Sequence, residues 1–165
     1  MEFFEVIKNR KSVREYSDRE VEKELIEKIV DAGRLAATAR NVQPWEFVAA
    51  SDKKTLKKIC DMCPNGPFIK DVSHLIAVFS KDTKYYIEDS SAATQNMLLA
   101  IEALGLGGCW IAGDKKDYAE PIRKIFNAPE GYKLVSMVTV GYPKKEETPH
   151  AKRSLKEILH WERYI

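Results

Sequence analysis

The chain has 165 residues, of which 44% are hydrophobic, and its 27 Lys and Arg nearly balance 25 Asp and Glu to leave a formal net charge of +2. That length fits one domain with a substantial core, and so small a charge argues against a role on nucleic acid or on a membrane surface. The three cysteines do not make a disulfide scaffold. MEFFEVIKNR mixes acids into its apolar part and does not read as a signal peptide. No apolar run is long enough to span a bilayer. The expectation is a single cytoplasmic domain over residues 1–165.

Residues 2–9 predict a short amphipathic helix through Phe3, Phe4, Val6 and Ile7, which runs into the polar NRKSVREYS. There Arg10, Lys11, Ser12 and Arg14 crowd together. Two guanidinium groups, an ammonium and a hydroxyl can hold a phosphate by charge-assisted hydrogen bonds, although such clusters also serve as solvated connectors. A second helix is predicted from Glu20 to Ala37, capped by Ser17 or Asp18, with Leu25, Ile26, Ile29, Val30 and Ala36 on its core face. Pro44 bars any continuation, and WEFVAA reads as a strand.

Asp52–Met62 predicts a helix with Leu56 and Ile59 inward and lysines outward, followed by the breaker-rich CPNGPFIKD. HLIAVFS (74–80) reads as a central strand. From Tyr85 to Leu104 comes the stretch around which the chain is organised: Ala92, Ala93, Met97 to Ile101, Ala103 and Leu104 place apolar groups almost all around a helix. Such a helix has to be buried on all sides, by the rest of the chain or by a second copy of it. Asp89, Gln95 and Asn96 within it need polar partners. GGCWIAG (107–113) predicts a short buried strand, Tyr118–Phe126 a helix and LVSMVTVGY (134–142) another strand. The tail is polar, then amphipathic through Leu155, Ile158, Leu159 and Trp161.

GLGGCW does not make a dinucleotide-binding turn, because Trp110 stands where the third glycine belongs and a helix precedes it. Cys60 and Cys63 have C-x-x-C spacing without a second pair, which reads as structural. His74, His150 and His160 share no metal-ligand spacing, and no nucleophilic triad is visible.

Three stretches in order, R10-K-S-V-R14, A36-A-T-A-R-N-V-Q-P-W45 and D89-xx-A-A-x-Q-N-M-L-L-A-x-E-A-L-G-L-G-G-C-W110, together with the ending PHAKRSLKEILHWE, resemble the FMN-dependent nitroreductase family. The resemblance covers nearly the whole chain. It implies an α+β homodimer: a mostly antiparallel central sheet flanked by helices, the long buried helix at the dimer interface, and FMN held between subunits. It further implies that Arg10, Ser12 and Arg153 hold the FMN phosphate, with Lys11 and Lys152 beside them. Arg14 would lie at the pyrimidine edge, where a cation stabilises the anionic reduced flavin.

By the same resemblance, Thr38, Ala39 and Asn41 approach from the partner subunit, with Gln43 and Trp45 shaping the wall. Asn65 bonds the pyrimidine edge, and Ala112 and Gly113 line the ring with a backbone N–H aimed at flavin N5. The implied activity passes a hydride from NADH or NADPH through N5 to a small acceptor such as a nitroaromatic, a quinone or free flavin, with no catalytic acid or base. The alternative is a flavin-binding carrier or sensor without efficient turnover. Many members of the family carry serine or proline around Ala37 and Thr38 and a basic residue at the position of Ala151. The stretch from Ala50 to Tyr85 is shorter here than in many of them, which implies a more open pocket.

Overall fold

The computed structural model describes residues 2–164; Met1 and Ile165, the ends of the expected domain, lie outside the described residues. Four strands form one sheet: β1 (Trp45–Ala50), β2 (His74–Lys81), β3 (Gly107–Ala112) and β4 (Tyr132–Gly141). Their spatial order is β1-β2-β4-β3, and every neighbouring pair is antiparallel. The helices α2 (Lys23–Arg34) and α4 (Tyr86–Ala103) cover one face, and α3 (Lys53–Met62) and α5 (Ala119–Ile125) cover the other. A short α1 (Phe3–Asn9) leans on α4.

The two faces follow from the period of two along a strand. On β2, Ile76 and Val78 meet Ile29 of α2 and Met97 and Ile101 of α4, while Leu75, Ala77 and Phe79 meet Leu56 and Ile59 of α3. On β4 both Met137 and Leu134 face the α3 side, although they are an odd number of residues apart. A bulge opposite Val78 and Phe79 supplies the extra residue that restores Leu134 to that face.

One expectation is corrected. The second helix begins at Lys23 and ends at Arg34, with Glu22 at its N-cap and no side-chain cap from Ser17 or Asp18. The residues before it are extended because the Val21 N–H donates to Ser73 Oγ at 2.8 Å and the Ser17 N–H to Tyr142 O at 2.9 Å. The long helix is buried on one side only within the chain. Ala93, Met97, Leu98 and Ile101 face the sheet, whereas Gln95 and Ala103 are exposed and Leu99 is half-buried. In the tail, one 3-10 turn at Leu155–Glu157 is closed by a Ser154–Glu157 capping box, and Leu155, Ile158, Leu159 and Trp161 stay exposed.

The glycine cluster after α4 has a packing role. Gly105, at φ +72, ends the helix in the left-handed conformation. A Cβ on Gly107 would stand 2.8 Å from Val13, and one on Gly141 would stand 2.7 Å from the Tyr16 ring. Bare backbone at those two positions lets the segment that follows α1 lie directly on the ends of β3 and β4.

Candidate functional site

That segment is extended and hydrogen-bonded along the open edge of β3. Ser12 pairs with Gly108 in parallel, the Val13 N–H donates to Gly108 O at 2.9 Å, and Tyr16 bridges to Pro143. Val13 is buried, so its neighbours Ser12 and Arg14 are turned to the other side; Tyr16 is buried as well. Beneath it the Cys109 N–H donates to Thr139 Oγ1 at 3.0 Å, and Tyr16 Oη lies 2.7 Å from that hydroxyl. Tyr16 in turn donates to Val13 O at 2.6 Å. Burial holds the Tyr16 phenol well above its ordinary range. Burial also pushes the Cys109 thiol up, opposed by the nearby Arg14, Ser12 and Arg10.

Outside this segment lies a cleft of about 700 Å³. Its cations include Lys8, Arg10, Lys11 and Lys152, its other polar groups include Ser12, Gln95 and His150, and its apolar wall includes Ile7, Leu98 and Trp110. The lining therefore combines cations suited to an anion with apolar side chains suited to a flat ring. Lys11 is already engaged: its ammonium lies 3.3 Å from Glu102 Oε1 at the end of α4.

A second, smaller cleft of about 280 Å³ opens at the far end of β3 and contains Cys63, Asn65, Gly66, Ile111, Lys116 and Tyr118. The Tyr118 hydroxyl donates to Ala112 O at 2.5 Å. Four residue steps along β3 take the chain from Gly108 to Ala112, about 13 Å at the usual rise of a strand. The open strand edge thus connects a cationic end to an end lined by an amide and backbone. The N–H groups of Gly113 and Asp114 both donate to Val135 O, at 3.0 and 3.1 Å. Edge-strand alternation turns the Trp110 and Ala112 N–H groups away from β4, and Ala112 is the one at this end of the strand.

Thr38, Ala39 and Asn41 lie on neither cleft. They belong to a 3-10 turn at Ala39–Asn41 and a following bend in which Arg40 and Asn41 have φ 56 and Gln43 has φ 50. Three non-glycine residues in the left-handed region within four positions is stored strain. The turn is held by Asp89 of α4, only 5% exposed, whose Oδ1 accepts the Ala39 N–H at 3.0 Å. Asp89 Oδ2 has no partner among the described residues.

The structure therefore gathers Arg10, Lys11, Ser12 and Lys152 at one cleft and Asn65, Ala112 and Gly113 at the other end of the same edge. It does not bring Arg153 into the cleft; its guanidinium donates to Glu157 O at 2.8 Å. Arg14 is exposed beside Cys109. Sequence reasoning did not assign Gln95, Leu98, Trp110 or His150 to the site. Trp110 was findable, since it alternates with Cys109 and Ile111 on a strand and must point outward if they point in. The Cys60 and Cys63 thiols are free and do not form a site of their own; burial raises the Cys63 thiol to about 11. No group of His, Cys, Asp and Glu among the described residues could hold a metal ion.

Comparison with known proteins agrees with this architecture. The family model described as "Putative TM nitroreductase" matches residues 2–164. The chain is 38% identical to a "Putative NADH dehydrogenase/NAD(P)H nitroreductase" of Methanothermobacter thermautotrophicus, over 87% of this chain and 78% of that protein. A crystal structure carrying the same description from Parabacteroides distasonis has a TM-score of 0.92 at 38% identity, covering 96% of this chain and 97% of the other. An "FMN-dependent Nitroreductase" of Clostridium difficile has a TM-score of 0.90 at 28% identity, covering 96% and 98%. With its antiparallel sheet between two helical layers and a matching family model over almost its whole length, the chain belongs to this nitroreductase family.

Proposed function

We propose that the protein is an FMN-dependent oxidoreductase that takes reducing equivalents from NADH or NADPH and passes them to a small acceptor, such as a nitroaromatic, a quinone or free flavin. The observation that carries this reading is the open edge of β3, with a cationic cleft at Ser12 and a backbone donor at Ala112. The donor set suits a long, flat ligand with a phosphate at one end. Arg10, Ser12 and Lys152 would hold the phosphate, with Arg153 joining them once the tail is repositioned, and Arg14 and Asn65 would meet the polar edge of the ring. When bound, FMN supplies hydride transfer through N5. The chain's own contribution is to bind, orient and shield, and no side chain has to act as acid or base.

The exposed outer side of α4, the exposed apolar residues of α1 and the tail, and the strained turn at residues 38–43 support a homodimer in which that turn reaches the partner's flavin. Burying those apolar groups would supply the association energy. A single domain over residues 1–165 and a cytoplasmic setting fit three reduced thiols; no helix among the described residues is long and apolar enough to cross a membrane.

The visible spectrum of purified protein, before and after heat release and with FMN added if it is colourless, tests this. Flavin released in amounts near that of subunits, with NADH or NADPH oxidised in the presence of nitroaromatic or quinone, is the expected result. No flavin even after reconstitution overturns the reading. Tight flavin without turnover would make the protein a carrier.

A further inference from the structure

Glu102 stands in the last turn of α4, where the helix dipole favours a cation and disfavours a carboxylate. It is also buried, at 9% exposure, behind a lining residue of the cationic cleft. Its partner is Lys11, whose ammonium lies 3.3 Å from Glu102 Oε1 and 3.4 Å from Asn9 O. A buried ion pair is weak evidence for stability, because desolvation offsets much of the attraction, and its better-attested use is to fix one arrangement over others.

The arrangement fixed here is the rotation of residues 10–14 about their own axis. Lys11 and Val13 hold the extended segment from opposite faces of the sheet, Lys11 tied to α4 and Val13 packed in the core on the α3 side. Held at both faces, the segment cannot roll, and Arg10 and Ser12 stay at the cleft beside Lys11. The pair also cancels one of the cleft's positive charges, which lowers the repulsion that would splay Lys8, Arg10 and Lys152.

We infer that Lys11 and Glu102 are positioning residues that give the protein its preference for a phosphorylated flavin, with Lys11 acting through the segment's orientation and not as a phosphate contact. This rests on the FMN reading above. It is tested by titrating FMN and riboflavin, which lacks the phosphate, into the full chain freed of co-purified flavin. Wild type, Lys11→Met, Glu102→Gln and the double variant would be compared, with thermal melts to confirm folding.

The expected result is a loss of roughly tenfold in FMN affinity in each single variant, little change for riboflavin, and a double variant no weaker than the singles. Should Lys11→Met fail to fold, the nearly isosteric Glu102→Gln answers alone. Unchanged or tighter FMN binding by Glu102→Gln would make Lys11 a direct contact and overturn the inference. Equal losses for FMN and riboflavin would reduce the pair to general support of the fold and overturn it too. A wild type that binds neither flavin overturns the FMN reading itself, and the inference with it.

Discussion

The segments 10–14 and 38–43 are both expected at the flavin, yet they are built in opposite ways. The first is extended and unstrained, pinned by a β-bridge to Gly108, a buried hydroxyl chain and the Lys11–Glu102 pair. The second holds three residues in left-handed backbone and is tied down chiefly by one buried carboxylate, Asp89. A segment whose own chain satisfies its backbone forms a complete half-site. A strained segment with an orphaned carboxylate oxygen behind it is a surface prepared for something the chain does not contain. The difference fits the proposal that the cleft of one chain and the turn of a second copy meet the same flavin.

The largest effect that would sharpen this contrast comes from Arg10→Ala. Loss of a charge-assisted contact at the cleft should lower FMN affinity on the order of 30-fold or more while leaving riboflavin nearly unaffected, as read by fluorescence titration. Similar losses for both flavins would break the assignment of the cleft to the phosphate.

The next two substitutions should move stability in opposite directions. Tyr16→Phe removes the hydroxyl between Val13 and Thr139 under the first segment and should cost about 1–2 kcal/mol in denaturant unfolding. Arg40→Gly relieves left-handed strain in the second and should gain roughly 0.5–1 kcal/mol after the glycine's own entropy is counted. A loss on Arg40→Gly would mean that the turn is not strained and would remove the contrast.

The smallest effect lies outside both segments and sets their baseline. Burial lowers the His74 imidazole below its ordinary 6.5, partly countered by Glu20. In the window below 6.5 the unfolded chain then binds more protons than the folded one, so stability is full above that pH and declines as pH falls. His74→Gln should flatten the decline seen in thermal melts just below pH 6.5. An unchanged slope would place the titration elsewhere.

Much of this fold is legible in the residues. β2 announces itself by a continuous apolar run, α3 by Asp52 and its inward Leu56 and Ile59, and the cationic segment by its composition. What the residues alone did not give are features set by distant partners. The start of α2 depends on Ser73 holding Val21, fifty-two positions away. The parity of β4 depends on a bulge. The side of α4 left uncovered depends on what packs there, which no helical wheel contains. The turn at 38–43 looked like a loop around Pro44; its strain is a property of backbone angles, and only the resemblance drew attention to it.

The central claim is that each flavin is bound by the cleft of one chain and the 38–43 turn of another. Its most direct test is complementation between Arg10→Ala subunits, which lack the cleft, and Thr38→Trp subunits, in which the turn is blocked. Mixed dimers contain one site with both defects and one with neither, so the account predicts about one flavin per mixed dimer and none in either parent dimer. Mixed dimers as empty as their parents would show that each chain builds its site alone, and would contradict it.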